Sequence, residues 1–142
     1  MTPVQIDLVR QSAALIVPRS QQVAALFYDT LFTVDPSLQA MFRGDMTEQG
    51  KRLMTMIITA VRLLDDPDTL LPTLRILGAR HLTYGVKPAH YDTVGQALLG
   101  TLALGLGEAF TPSVREAWIA MYGVVSRTMQ EAASDAVVSD GA

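Results

Sequence analysis

Apolar positions recur at helical spacing along the whole chain, and no stretch alternates like a strand. Prolines mark where the helices begin. Thr2-Pro3, Asp35-Pro36, Asp66-Pro67 and Thr111-Pro112 each set a capping side chain directly before proline, the arrangement of an N-cap followed by a first helical residue. Thr2 and Gln5 also have capping-box spacing, and Lys87-Pro88 is a fifth start with a poorer cap. The pattern predicts a first helix from Pro3 to about Val17, with Ile6, Val9, Ala13 and Ile16 inward, and a second from Ser20 to Val34 burying Val23, Leu26, Phe27, Leu31 and Phe32. Asp35 to Phe42 reads as a short helix, Arg43-Gly44-Asp45 as a loop, and Thr47 to Leu64 as a long helix. Pro72 lies inside the next segment, so its regular helix is expected to begin near Thr69, after a turn at Pro67. Helices from Pro88 to about Gly105 and from Pro112 to about Ala133 follow. The expectation is one all-α domain over residues 1–133, with six or seven helices and a frayed tail at 134–142.

Within that pattern three polar side chains interrupt apolar faces. Leu70, Leu74, Leu77 and His81 fall at i, i+4, i+7 and i+11, so a helix stacks them on one face that ends in an imidazole. Gly85 can take the left-handed turn that stops this helix, and Pro88 then starts another with His90 and Tyr91 in its first turn, so the chain doubles back beside His81. Gln49 shares a face with Leu53, Met56, Ile57 and Ala60. Tyr28 lies near the apolar side of the second helix, four residues before Phe32. A single histidine on an apolar face is more often a core residue than a ligand, and the rest of the chain has to decide between these readings.

Composition narrows the choice. Hydrophobic residues make up 49% of the 142 and charged residues 18%, a surplus that suits an apolar ligand pocket or a homodimer equally well. The net charge is −3 and basic residues are scattered singly, which leaves no face to neutralise nucleic-acid phosphates. There is no cysteine, hence no disulfide, thiolate metal site or iron–sulfur cluster. The N-terminus lacks the basic-then-apolar pattern of a signal peptide and no apolar run reaches spanning length, so a cytoplasmic location is expected. Gly105-Leu106-Gly107 begins like a nucleotide fingerprint but has neither the preceding strand nor the third glycine. Asp65, Asp66 and Asp68 lack the EF-hand pattern, and two histidines with no strand-borne nucleophile make no catalytic triad. One imidazole cannot hold a bare zinc or iron ion. It can hold the iron of a haem, because the macrocycle supplies the other four donors.

Six stretches, in order and at consistent spacing, then resemble the single-domain bacterial haemoglobins and the haem domain of flavohaemoglobins from about Ile6 to Met129. LFYDTLF, with Tyr28, resembles the second-helix motif whose tyrosine is the distal hydroxyl. Asp35-Pro36 with Met41-Phe42 resembles the turn whose phenylalanine lies on the porphyrin. EQGKRL places the distal glutamine on Gln49 and the apolar residue four further on at Leu53. LLPTLRILGARHLTYGV resembles the segment carrying the axial histidine, here His81. HYDTVGQALLGTL and REAWIAMYGV, with Trp118 and Tyr122, complete the match. The resemblance implies a globin fold around one haem b (iron protoporphyrin IX), with His81 as iron ligand and Tyr28 and Gln49 as the residues acting on the bound gas. It implies cofactor contacts from Phe42, Leu53, Ile57, Leu77, Val86, Tyr91, Val94 and Tyr122. One departure from flavohaemoglobins matters. Their last-helix glutamate, which joins the axial histidine, falls here on Ala133, so peroxidase-like chemistry is disfavoured.

The implied function is reversible O₂ binding for storage or delivery, with NO and CO as further gas ligands. The alternative is an NO dioxygenase, which turns NO and O₂ into nitrate and needs an external reductase because the sequence carries no flavin or nicotinamide motif. A gas or redox sensor is the third reading, disfavoured for want of an output domain in the sequence.

Overall fold

The computed structural model describes the chain except Arg43 and Ala142, with side chains other than those of residues 137–141. Its six α-helices are α1 (Pro3–Ile16), α2 (Ser20–Val34), α3 (Met46–Arg62), α4 (Pro67–Thr83), α5 (Pro88–Leu106) and α6 (Pro112–Gly141). Short 3₁₀ turns at Val17–Arg19, Pro36–Met41 and Gly107–Ala109 link some of them, and there is no strand among the described residues. No described helix is long and apolar enough to cross a membrane.

Capping explains most of the helix starts. Thr2 and Gln5 form the reciprocal capping box that their spacing predicts. Asp35 accepts from the Ser37 N–H, and Thr111 from the Val114 N–H. Asp66 precedes proline as expected, yet its side chain makes no cap. Two boundaries differ from expectation for identifiable reasons. Asp45, read as loop, caps α3 through the Thr47 N–H at 2.8 Å and so starts that helix one residue earlier; its neighbour Arg43 lies outside the described residues. Pro72 does not delay α4, which begins at Pro67. The bond that proline cannot make is the one to the Asp68 carbonyl, and both residues are exposed, so water can serve that oxygen. α6 runs on beyond Ala133 to Gly141.

α4 lies along α6, α2 along α5, and α1 packs on α6, which makes α6 the spine of the main core. Trp118 on α6 is 1% exposed and fills the junction with α1. Its indole Nε1–H donates to Ser12 Oγ at 2.8 Å, and Ser12 Oγ in turn donates to the Leu8 carbonyl at 2.7 Å. Both groups are buried, so losing the serine oxygen leaves an indole N–H with nothing to bond. Ser12→Ala is expected to lower unfolding stability by about 1–3 kcal/mol in urea titrations. An unchanged midpoint would show that water replaces the hydroxyl.

α3 is held from two sides. α2 supports it along one face, where a Cβ at Gly50 would come within 3.0 Å of the Ala24 Cβ. At its C-terminal end Arg10 of α1 donates to the Arg62 carbonyl and to Asp65, each at 2.9 Å. That guanidinium also holds the Asp65 carboxyl below the ordinary carboxylate range. The backbones of α3 and α4, by contrast, approach each other closely at very few points. The two helices carrying Gln49 and His81 are therefore positioned by other elements and leave a gap between themselves.

Candidate functional site

The residues facing this gap are mostly apolar and incompletely covered. On α3 the fully buried positions are Gly50, Met54, Ala60 and Val61, whereas Leu53 and Ile57 are half-buried and Met56 is 37% exposed. The same gradient runs along α4. Leu70 and Leu74 are each 3% exposed, while Leu77 and His81, further along the stripe, are half-buried. Between the buried ends lies a cavity of about 90 Å³, walled by Met56, Thr59 and Ala60 from α3 and by Leu70, Thr73, Leu74 and Leu77 from α4. Sequence reasoning put Met56, Ala60, Leu70 and Leu74 on the faces that line this cavity but did not name them as candidate site residues. The usable signal was that they extend the Leu53–Ile57 and Leu77–His81 stripes by one turn.

The predicted wall residues belong to two apolar clusters. Ile57, Leu77, Val86 and Tyr91 belong to the main core, whereas Tyr28, Phe42, Leu53 and Val94 belong to a smaller cluster under α2; Leu98 packs against both. In the smaller cluster the Tyr28 ring meets Phe27 and Phe42 edge-on at 5.2 Å and stacks with Phe32 at 6.0 Å. Its hydroxyl donates to the Gln49 backbone carbonyl at 3.3 Å, so the structure brings these two predicted residues together. Burial pushes the phenol up to about 12, leaving it a protonated donor at neutral pH. The Gln49 side chain is half-buried and makes no hydrogen bond among the described residues.

On the other side, the chain returns beside His81 as the glycine predicted. Gly85 has φ +85°, and the Val86 N–H donates to the His81 carbonyl at 3.1 Å, closing the end of α4. Tyr122 donates its hydroxyl to the Tyr91 carbonyl at 2.6 Å, which joins α6 to the first turn of α5. Burial raises both phenols, and for Tyr122 the proximity of Tyr91 and Asp92 adds to it. The Tyr91 hydroxyl is buried without a hydrogen-bond partner. Among the described residues no hydrogen bond links His81 to Tyr28, Gln49 or Tyr91.

The two histidines carry opposite tautomers. His81 Nδ1 lies 2.9 Å from the Leu77 carbonyl, which can only accept, so Nδ1 holds the proton and the Nε2 lone pair is left free. Burial lowers the imidazole below its usual range and keeps it neutral, more than the Leu77 bond raises it. His90 Nδ1 instead accepts the Lys87 N–H at 2.9 Å, so its Nε2 is protonated and has no lone pair to offer. His90 thus serves the start of α5, and of the two imidazoles only His81 is left with a free Nε2 lone pair. No group of three or more His, Cys, Asp or Glu side chains among the described residues could hold a bare ion.

Residues 25–129 match the family model described as Globin. The chain belongs to the globin family. It is 32% identical to neuroglobin of Tetraodon nigroviridis over 137 residues, covering 87% of this chain and 86% of that protein. It is also 29% identical to the flavohemoprotein of Bacillus subtilis over 126 residues, 85% of this chain but 31% of the relative. The globin thus spans about a third of the length of the flavohemoproteins it matches. Its fold is that of an engineered carbene transferase from Rhodothermus marinus, described as a nitric oxide dioxygenase, with TM-score 0.89 over 100% of this chain and 99% of that one at 21% identity. A bacterial globin of Campylobacter jejuni superposes with TM-score 0.82 over 94% of this chain and 97% of that one at 22% identity.

Globin membership implies a haem, and the donor chemistry of this chain fits one. A porphyrin brings four nitrogens of its own and asks the protein for a single neutral imidazole between apolar walls. This globin offers one free Nε2 lone pair and two helix faces whose apolar side chains are left half-covered.

Proposed function

We propose that this globin holds haem b in the gap between α3 and α4 and binds O₂ reversibly. The observation that carries the reading is the tautomer of His81, a neutral ring tied down at Nδ1 with Nε2 free. Bound haem would supply the iron that takes up O₂ and polarises it. The other contributions come from the chain. The Leu77 carbonyl orients the imidazole through Nδ1–H and leaves it an ordinary neutral ligand. Ala133 offers no carboxylate to strengthen that bond, which argues against peroxidase-like chemistry. Tyr28 supplies a hydroxyl that stays protonated, and its bond to Gln49 at 3.3 Å is long enough to be given up for a charged acceptor. The free Gln49 amide can add a second donor. Phe42, Leu53, Ile57, Leu77, Val86 and Val94, packed into the two apolar clusters, would give the haem apolar surroundings in which each donor acts at low dielectric.

Likeness to flavohemoproteins and to a structure described as a nitric oxide dioxygenase favours a second reading. In it the same pocket catalyses NO + O₂ + e⁻ → NO₃⁻, the electron coming from an external reductase. Two measurements separate these readings. Protein purified with haem should show an imidazole-ligated visible spectrum that cycles with O₂ removal and readmission; without that spectrum both readings fail. Sustained NO consumption with a flavin reductase and NADH identifies the dioxygenase. A single turnover that stops with the first electron leaves O₂ binding as the function.

A further inference from the structure

We propose that Gly78 is a positioning residue: it seats α4 directly on the backbone of α6 and so fixes where His81 stands, an inference that rests on the haem reading. Gly78 is buried in α4, one turn before His81. A Cβ built there would overlap the Met129 carbonyl oxygen and stand 2.6 Å and 2.8 Å from the Met129 Cα and carbonyl carbon. These are backbone atoms in the middle of α6, and no rotamer change moves them aside. The other close glycines differ: Gly50 approaches the Ala24 Cβ and Gly95 the Tyr122 ring, both side-chain atoms. Gly105 and Gly123 meet nothing within 4 Å. Gly78 is therefore where two helix backbones touch.

That contact has leverage on the ligand. α4 has almost no support from α3, so α6 is the surface that locates it. Arg75 pairs with Asp135 at 2.7 Å while Gly78 faces Met129, which makes the two helices antiparallel with a fixed register. Leu77, the neighbour of Gly78, provides the carbonyl that orients His81, and His81 follows about 4.5 Å along the same helix. A methyl group at position 78 has to lift α4 from α6 by roughly 1 Å to reach ordinary contact distance. Leu77 and His81 move with it.

The test compares haem-loaded Gly78→Ala with wild type, with Gly123→Ala as a helix-propensity control and with Met129→Ala. Met129 is 5% exposed, so its truncation loosens the core but leaves the backbone seat intact. The readouts are the iron–histidine stretch of the ferrous protein by resonance Raman and the rate of haem transfer to apomyoglobin. In Gly78→Ala the stretch shifts and haem leaves roughly ten- to a hundredfold faster. In Met129→Ala urea stability falls while the stretch stays put, and Gly123→Ala matches wild type in both readouts. A wild-type stretch in Gly78→Ala, with haem loss unchanged, overturns the proposal while leaving the haem reading intact. A shift of equal size in Met129→Ala also overturns it, because general loosening then explains the effect. If Gly78→Ala does not fold, Ala132→Val takes its place: Ala132 is 6% exposed and lies between Met129 and Asp135 on the same stripe of α6. An unchanged stretch there overturns the proposal, and a shifted one supports it. Wild-type protein that takes up no haem sinks the parent reading and this one with it.

Discussion

His81→Ala is expected to lose its haem during purification, or to hold it so weakly that transfer to apomyoglobin is faster by more than roughly a hundredfold. Loss of a group that merely orients a metal ligand costs about ten- to a hundredfold, and loss of the ligand itself must exceed that. The apolar walls remain in the variant, so some haem should still partition into the gap, and added imidazole should restore the axial-nitrogen spectrum. His90→Ala is the control that gives the experiment its force. His90 has its Nδ1 committed to the Lys87 N–H, and its removal should weaken only the start of α5. If His81→Ala keeps the wild-type spectrum while His90→Ala loses it, the tautomer argument is wrong and the axial role passes to His90.

The sequence made the helices legible because each level of the signal agreed with the next. Capping residues preceded prolines, periodicity was helical throughout, and Gly85 stood where the chain had to reverse. Pro72 misled because a proline within a helix normally costs a bond; here the orphaned carbonyl reaches water at an exposed position. The site was legible in part. Faces could be read, and the phenol is buried and the imidazole and amide half-buried on the faces that the spacing assigned them. Partners across the fold could not be read. That Tyr28 reaches the Gln49 carbonyl, that Ser12 serves Trp118, and that Arg10 clasps the end of α3 are long-range contacts with no local signature. Gly78 was hidden for the opposite reason. In sequence it is one small residue in a helix, and only the α6 backbone beside it shows why nothing larger fits.

Half-covered leucines and isoleucines in the middle of a domain are also informative. A core that could close over Leu53, Ile57 and Leu77 would gain burial by letting α3 and α4 touch. Each helix is instead tied to a different support, α3 to α2 and α1, α4 to α6. The architecture thus withholds the contact that hydrophobic collapse favours, and a flat apolar cofactor is the kind of group that restores the missing burial. Stability should accordingly depend on the cofactor, through mass action, more than the protein-only contacts suggest.

Tyr28→Phe should leave the fold intact and release O₂ roughly five- to a hundredfold faster. The substitution keeps the ring against Phe27, Phe32 and Phe42 and removes only the hydroxyl. The Gln49 carbonyl that loses this bond lies within α3, so little stability should be lost with it. What disappears is a donor worth about 1–3 kcal/mol to a partly charged ligand in an apolar site. Carbon monoxide takes less charge, so its release should change little, and that contrast separates hydrogen bonding from altered pocket shape. The hydroxyl also predicts a pH profile. Its folded value stands near 12 against an ordinary 10, so the stabilising difference is complete below pH 10 and is lost as pH rises through 12. Wild-type O₂ release should stay flat until the pH approaches 12, where the folded phenol ionises, whereas urea stability should already fall above about pH 10; Tyr28→Phe should lack that component of both. Stopped-flow release that is equal in the two proteins at neutral pH would remove Tyr28 from the gas site and leave the Gln49 amide as the donor.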